Sequence, residues 1–113
     1  MPADVPTVSV DQLPPGVVLL DVREPEEWAA GRIAGALHIP MMELPQRMTE
    51  ESTPLAPDAD IVVVCKVGGR SAQVTAWLCR QGYTAANLSG GMLAWEHAGH
   101  PMEADGDATP RVV

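Results

Sequence analysis

A length of 113 residues fits one domain, and the 46% of residues that are hydrophobic suffice for one core without disulfides or a metal. The formal net charge of -8, with one lysine and six arginines, excludes a surface built to bind nucleic acid or an anionic membrane, because phosphate binding needs clustered cations. The sequence starts without a basic, apolar leader and has no run of about 18 apolar residues, so a soluble cytoplasmic protein is expected.

The first half of the chain is predicted to contain three short strands and one helix after an irregular lead-in over residues 1–6. Aliphatic runs between turn signals predict the strands. Pro25 suits a first helical position, and Gly31 suits a helix end. The predicted elements are an edge strand at 7–10, a buried strand at 17–20 closed by Asp21, a helix at Pro25–Ala30 and a strand at 36–39.

The second half continues the alternation of helices and strands. Its predicted elements are a brief helix from 42 or 43 to 48, an exposed connection over 49–60, a buried strand at 61–64, a helix at 71–81, a strand at 83–88 and a helix at 92–98. One domain over residues 1–103 is expected. The acids, glycine and proline of residues 104–113 predict a flexible C-terminal tail outside the core.

This alternation predicts an α/β fold, with a central parallel sheet of about five short strands and helices on both faces. In such sheets, ligands sit beyond the carboxyl ends of the strands. Residues 61–64 are four aliphatic residues, and such a continuous run favours a strand that is buried on both faces. The functional site is therefore expected where this strand ends.

Residues 65–71, Cys-Lys-Val-Gly-Gly-Arg-Ser, follow that strand and are called the Cys65 loop below. Gly68 and Gly69 allow a tight turn before the helix that begins near Arg70, so unpaired N–H groups are expected to gather there. The reactive form of cysteine is the thiolate, and helix N-terminal amides and nearby cations lower its pKa from about 8.5. Lys66 and Arg70 would supply those cations. The pattern predicts an anion-binding loop that contains a reactive thiol.

The second cysteine, Cys79, is predicted to be an inert thiol in the core. A rise of about 1.5 Å per residue puts it roughly 13 Å along the helix from the loop, which is beyond disulfide reach. The two cysteines are therefore not expected to pair.

The pattern Cys-x-x-Gly-x-Arg-Ser between a buried strand and a helix resembles the active-site loop of the rhodanese-like sulfurtransferases. Three other segments, at residues 21–28, 31–40 and 88–95, resemble motifs of that family in the same order, so the resemblance covers about residues 7–101. Asp21, Arg23 and Glu24 match its Asp-x-Arg-Glu stretch. Arg32 stands where the family often has histidine, a departure that leaves the Cys65 loop intact.

The resemblance implies a three-layer rhodanese-like fold and a ping-pong sulfur transfer in which Cys65 is the catalytic residue. Cys65 would take sulfur from thiosulfate or another sulfane-sulfur donor and pass it, as a persulfide, to a thiol or cyanide acceptor. A sulfur-relay protein is a further candidate partner, and no metal or organic cofactor is implied. The residues implied to bind the substrate are Lys66, Val67, Gly68, Gly69, Arg70 and Ser71.

Several alternatives remain at this stage. Asp21, Arg23 and Glu24 are assigned a supporting role, in which Arg23 and Glu24 either buttress the loop by charge pairing or form a surface ion pair. A phosphatase or arsenate reductase of related fold would have a loop one residue longer than the six residues from Cys65 to Arg70. A regulatory module that binds a partner often lacks the cysteine, which this chain keeps.

Overall fold

In a computed structural model of the protein, residues 5–49 and 54–113 are described, and they form a five-stranded parallel sheet with helices packed against it. The strand order is β1-β5-β4-β2-β3, which places β4 at the centre and β1 and β3 at the edges. The strands are β1 (Thr7–Val8), β2 (Val18–Asp21), β3 (Leu37–His38), β4 (Asp60–Val64) and β5 (Thr84–Leu88). The predicted α/β class with a parallel sheet is confirmed.

In the described residues, three α-helices connect successive strands and a fourth follows β5. They are α1 (Pro25–Ala30), α2 (Leu44–Arg47), α3 (Gly69–Arg80) and α4 (Gly91–His97), and a 3-10 helix at Met41–Glu43 leads directly into α2. No helix in the described parts of the chain is both long and apolar enough to cross a membrane.

The side chains of β4 alternate between two separate cores, which explains the continuous aliphatic run. Ile61 and Val63 join one core, which includes Val74 and Leu78 of α3. Val62 and Val64 join the core on the opposite face, which includes Met92 and Trp95 of α4. Both faces of β4 are therefore buried, as the sequence predicts for a central parallel strand.

The predicted elements are confirmed with small shifts at their ends, and α1 has the predicted bounds. The prediction of an exposed connection over residues 49–60 is wrong at two positions. Residues 50–53 of this segment lie outside the described part of the chain. Leu55 is fully buried in the core on the α3 side, and Asp60 already belongs to β4. The prediction followed the polar composition of the whole segment and so missed the burial of its single leucine.

The prediction that Cys79 is a core thiol is also wrong. Cys79 is exposed in the last turn of α3, where its Sγ lies 3.6 Å from the carbonyl oxygen of Ala85. The buried neighbour is Leu78, and one residue along a helix rotates the side chain by about 100°. Both cysteines are free thiols.

The C-terminal residues lie against α1 and α4. Arg32 and Glu103 form an antiparallel bridge, and the N–H groups of Asp105 and Arg111 donate to the carbonyl oxygens of Ala29 and Ala30 at 3.0 and 2.9 Å. Val112, which is partly buried, packs on the core that contains Trp95. The flexibility of residues 104–113 stays a prediction, but several of them contact the domain rather than extend away from it.

Arg32 explains part of this arrangement. Its guanidinium donates to Asp105 Oδ1 at 2.7 Å and to Glu103 Oε1 at 3.3 Å, and it lies 5.0 Å from the centroid of the Trp28 ring. The arginine that departs from the family pattern thus joins the C-terminal residues to α1.

Replacing Gly31 by alanine tests this packing, because a Cβ at Gly31 would collide with the carbonyl oxygen of Arg111. We expect Gly31→Ala to lower the free energy of unfolding, measured by urea denaturation, by about 1–3 kcal/mol, the usual cost of overpacking. In a chain shortened to end at residue 103, the same substitution should change it by less than about 0.5 kcal/mol. Equal losses in both chains would show that the C-terminal residues do not cover Gly31.

Candidate active site

The Cys65 loop connects the central strand to the longest helix. Cys65 follows Val64, the last residue of β4, and the loop ends in the first turn of α3. Gly68 precedes the helix with φ +112°, a left-handed conformation that glycine adopts without a steric penalty. The tight turn expected from the glycines is present, and it brings the start of α3 back toward Cys65.

The sulfur of Cys65 lies among hydrogen-bond donors of this loop. The backbone N–H groups of Gly68 and Ser71 donate to Sγ at 3.1 and 3.3 Å, and the Ser71 hydroxyl lies 3.2 Å from it. Cys65 itself has no exposed surface. A negative charge on this sulfur would therefore be stabilised by protein dipoles in place of water.

These surroundings act on the pKa of the Cys65 thiol in opposite directions. Burial raises the pKa, whereas the Ser71 hydroxyl and the backbone N–H groups of Ser71, Gly68 and Val67 lower it. The hydrogen bonds outweigh burial, so the pKa of Cys65 lies below its ordinary value. The thiolate is favoured mainly by hydrogen-bond donors.

Arg70 is less available than the sequence suggests. Its guanidinium donates to both carboxylate oxygens of Glu27 in α1, at 2.8 and 2.9 Å. This two-point pair, with partial burial opposing it, raises the pKa of Arg70 and compensates its charge. Lys66 is half-buried, and within residues 5–49 and 54–113 it has no ion-pair partner. Lys66 is therefore the uncompensated cation of the loop.

Glu27 is a site residue that sequence reasoning missed. An acidic residue in the first turn of a helix is already favoured by the helix dipole, so the sequence gives no sign of a partner 43 positions away along the chain. Hydrogen bonding to Arg70 lowers the pKa of Glu27 to about 2, although partial burial opposes the shift and the backbone at Glu24 adds to it. An acidic side chain fixed in this way ties α1 to the Cys65 loop.

Asp21 and Arg23 form a buried pair, so the alternative of a surface ion pair is wrong for Arg23. The guanidinium donates to both oxygens of Asp21, the shortest distance being 2.7 Å, and also to the carbonyl oxygens of Glu27 and Gly31. Arg23 and Asp21 are 0% and 1% exposed. Together they hold both ends of the last turn of α1, so their support for the loop is indirect.

Glu24 immediately precedes α1 and is exposed. Its backbone N–H donates to Glu27 Oε1 at 3.0 Å, so the Glu24 backbone helps to orient the carboxylate that holds Arg70. Its carboxylate also contributes to the raised pKa of Arg70, so both the main chain and the side chain of Glu24 act on the Glu27–Arg70 pair.

The turn between β5 and α4 holds the other side of the loop. The N–H groups of Met92 and Leu93 donate to the carbonyl oxygens of Cys65 and Lys66 at 2.8 and 3.0 Å. Gly91 has φ +58°, and a Cβ there would meet the Cys65 carbonyl. Gly91, the first residue of α4, thus permits a close approach to the loop, which accounts for the second glycine of the Ser-Gly-Gly pattern.

Asn87 of β5 is the second residue that the sequence did not reveal. Its Nδ2 donates to the carbonyl oxygen of Gly68 at 3.2 Å, and its Oδ1 accepts the Ser71 hydroxyl at 2.5 Å. Asn87 therefore connects the two residues of the loop that contact the Cys65 sulfur. A polar residue within a strand gives no sign in the sequence of the loop it will face.

No group of three or more His, Cys, Asp or Glu side chains that could hold a metal ion occurs in the described residues. The donors around Cys65 are N–H and O–H groups, which suit an anion.

The comparisons of this chain with a family model and with known proteins agree on one family. A family model described as a Rhodanese-like domain matches residues 10–98. A sulfurtransferase of Allochromatium vinosum is 44% identical over 89 residues, which cover 78% of this chain and 79% of the relative. The human thiosulfate:glutathione sulfurtransferase is 36% identical over 109 residues, which cover 82% of this chain and 95% of the relative.

Solved structures agree with the fold. A rhodanese-related protein from Thermoplasma volcanium has a TM-score of 0.71 at 33% sequence identity, with 80% of this chain and 86% of that chain covered. A rhodanese-like domain protein from Staphylococcus aureus has a TM-score of 0.72 at 30% identity, with 89% and 99% covered.

The Glu27–Arg70 pair predicts a pH dependence of stability. An acid whose pKa is lowered by folding, here from 4.5 to about 2, contributes stability that is complete above pH 4.5 and declines as the pH falls toward 2. We expect Glu27→Gln to lower the free energy of unfolding by about 1–2 kcal/mol at pH 7, because the charged bonds are partly exposed. In urea denaturation the difference from wild type should shrink by more than half at pH 3.

The matched control is Glu26→Gln, which removes an exposed carboxylate from the same helix. It should change stability by less than about 0.5 kcal/mol. If Glu27→Gln behaves like the control, or if its effect is equal at pH 7 and pH 3, the pair does not stabilise the fold.

Proposed function

Because the chain belongs to the rhodanese-like domain family, we propose that it is a sulfurtransferase that moves sulfane sulfur from thiosulfate or a related anionic donor through a persulfide on Cys65. The observation that carries this proposal is the convergence of the Gly68 and Ser71 N–H groups on the Cys65 sulfur. Such a site favours sulfur in its anionic form, which is the form needed before and after transfer.

In the first half-reaction, the Cys65 thiolate attacks the outer sulfur of thiosulfate. A bond forms between the two sulfur atoms, the S–S bond of thiosulfate breaks, and sulfite leaves with the electron pair. The outer sulfur of the resulting persulfide carries the negative charge, and the N–H groups of the loop would bind it. Charge is conserved, and no external oxidant or reductant is required.

In the second half-reaction, an acceptor thiolate or cyanide attacks the outer sulfur of the persulfide. The persulfide bond breaks, and Cys65 leaves as a thiolate that is again stabilised by the loop. The name of the human relative gives both a donor and an acceptor, thiosulfate and glutathione, and we propose the same classes here. Cys79 is exposed and lies on the far end of α3, so an external acceptor is needed to release the sulfur.

The engagement of Arg70 favours sulfur transfer over phosphoester or arsenate chemistry. A tetrahedral oxyanion would use the guanidinium as its main counter-charge, and here both of its outer nitrogens donate to Glu27. A single sulfur atom needs only the amides of the Cys65 loop.

Persulfide formation gives a direct test of Cys65. After treatment with thiosulfate, we expect the intact protein to gain the mass of one sulfur atom, and the gain should be lost on addition of cyanide. Cys79→Ser, the matched control at the exposed cysteine, should gain the sulfur as wild type does. A Cys65→Ser protein that still gains it would refute the assignment of the nucleophile.

Lys66 is expected to attract anionic reagents without changing the nucleophile. Iodoacetate and iodoacetamide alkylate thiols by the same reaction but differ in charge, so the ratio of their rates at Cys65 measures this attraction. We expect Lys66→Ala to lower the iodoacetate-to-iodoacetamide ratio about threefold at low salt, because it removes one half-buried positive charge from the loop. The rate of sulfur uptake from thiosulfate should fall similarly.

Lys66→Arg keeps the charge and serves as the control, with a ratio close to that of wild type. Equal losses for the two reagents in Lys66→Ala would instead indicate that the substitution disturbs the loop, and attraction by Lys66 would be rejected.

A further inference from the structure

The orientation of the Asn87 side chain is fixed by the carbonyl oxygen of Gly68. A carbonyl can only accept a hydrogen bond, so the Asn87 atom that lies 3.2 Å from it must be Nδ2. The other end of the amide, Oδ1, therefore faces the Ser71 hydroxyl, and the two oxygens are 2.5 Å apart. Asn87 is 8% exposed and Ser71 is fully buried, so water does not compete for these contacts.

The Ser71 hydroxyl has two neighbours and only one proton. Its oxygen lies 3.2 Å from the Cys65 sulfur and 2.5 Å from Asn87 Oδ1. Asn87 Oδ1 can only accept, whereas the sulfur can donate as a thiol or accept as a thiolate. The hydroxyl proton can therefore satisfy one of these neighbours at a time.

The two protonation states of Cys65 differ in how well they fit this arrangement. With a neutral thiol, the S–H donates to Ser71 Oγ, and the Ser71 hydroxyl donates to Asn87, so every group is paired. With a thiolate, the Ser71 proton has two alternatives. If it points to the sulfur, Ser71 Oγ and Asn87 Oδ1 are two acceptor oxygens in close contact. If it points to Asn87 Oδ1, a lone pair of Ser71 Oγ faces the thiolate. One favourable contact is lost in either case.

We propose that Asn87 is a positioning residue that competes with the Cys65 sulfur for the hydroxyl proton of Ser71, so that ionisation of the thiol costs the site one hydrogen bond. The amides of the loop favour the thiolate, and Asn87 opposes part of that effect. The thiol proton that is lost passes to the solvent. Because thiolates of higher proton affinity are stronger nucleophiles, this opposition keeps Cys65 reactive as well as ionisable.

The same competition distinguishes the thiolate from the persulfide. Once Cys65 carries a second sulfur, the negative charge lies on the outer atom, and Sγ no longer attracts the Ser71 proton strongly. The hydroxyl can then donate to Asn87 without loss. Asn87 thus favours the persulfide relative to the free thiolate. This step rests on the proposed function, whereas the competition for the proton does not.

Charged groups also lie around the loop, but they are not part of this competition. They are Lys66 and Arg70 within the loop, Glu27 and Glu24 at α1 and the buried Asp21–Arg23 pair at the end of β2. The residues of β5 and α4 that contact the loop are Asn87, Gly91, Met92 and Leu93, and none of them titrates. Substitution of Asn87 therefore leaves the number of charges unchanged.

The test is the pKa of Cys65, read from the pH dependence of iodoacetamide alkylation at the Cys65 peptide in a Cys79→Ser background. We expect Asn87→Leu to lower the pKa by about one unit more where Ser71 is present than in a Ser71→Ala background, a tenfold difference in the ratio of thiolate to thiol at a given pH. In both backgrounds the substitution also removes the bond to the Gly68 carbonyl oxygen, so the difference between the two shifts measures the competition for the Ser71 proton alone.

Ser71→Ala alone provides a second test that removes a single atom and preserves the fold more safely than Asn87→Leu. Because the Ser71 hydroxyl lowers the pKa of Cys65, we expect a rise, but one of less than about half a unit, since removing the hydroxyl also removes the cost of breaking its bond to Asn87. Ser71→Thr, which restores the hydroxyl, should titrate as wild type does. A rise of more than one unit in Ser71→Ala would show that Ser71 donates freely to the sulfur and would overturn the proposal.

An equal shift of the pKa by Asn87→Leu with and without the Ser71 hydroxyl would also overturn it. The titration needs no sulfur donor, so it can fail while thiosulfate still forms the Cys65 persulfide. It can equally succeed in a protein that does not transfer sulfur.

Discussion

The constraint on which the site depends is that a negative charge on the sulfur of a buried cysteine, Cys65, has little water to solvate it. Only hydrogen-bond donors of the protein can replace the missing water, and the nearest are the N–H groups of the Cys65 loop. For those groups to point at the sulfur, carbonyl oxygens of the same loop must point away from it and find partners elsewhere. Met92, Leu93 and Asn87 supply those partners, so β5 and the start of α4 orient the loop by binding its outward-facing oxygens.

Charge has a smaller part in the loop than its composition suggests. Arg70 is held by Glu27, and the protein as a whole has a net charge of -8, so the surroundings repel an anionic donor beyond the immediate loop. Lys66 is the cation of the loop left without a carboxylate in the described ranges. A small anion would then be bound at short range by the amides of the Cys65 loop and attracted at longer range by the ammonium group of Lys66. Different groups would therefore stabilise the sulfur and attract the donor.

The sequence predicts those features that depend on neighbouring residues and misses those that depend on distant ones. The aliphatic run before Cys65, the glycines of the loop and the proline of α1 each specify local backbone, and their elements are confirmed. Glu27 and Asn87 form hydrogen bonds with loop residues that lie 43 and 16 positions away along the chain. The neighbouring residues of Glu27 and Asn87 in the sequence give no indication of these contacts. The predictions for Leu55 and Cys79 are wrong for a related reason. Whether a single side chain is buried depends on which other element packs against it.

The position of α1 shows how far the site extends through polar contacts. This helix has six residues, none of them fully buried, so it is too short to be stable alone and has little buried apolar surface to fix its place. Arg23 binds the carbonyl oxygens of Glu27 and Gly31 from the sheet side, and the N–H groups of Asp105 and Arg111 bind those of Ala29 and Ala30 from the C-terminal residues. Glu27 reaches Arg70 only if α1 is held in this way. The last residues of the chain therefore bear on the Cys65 loop through α1, although they lie outside the strands and helices that form it.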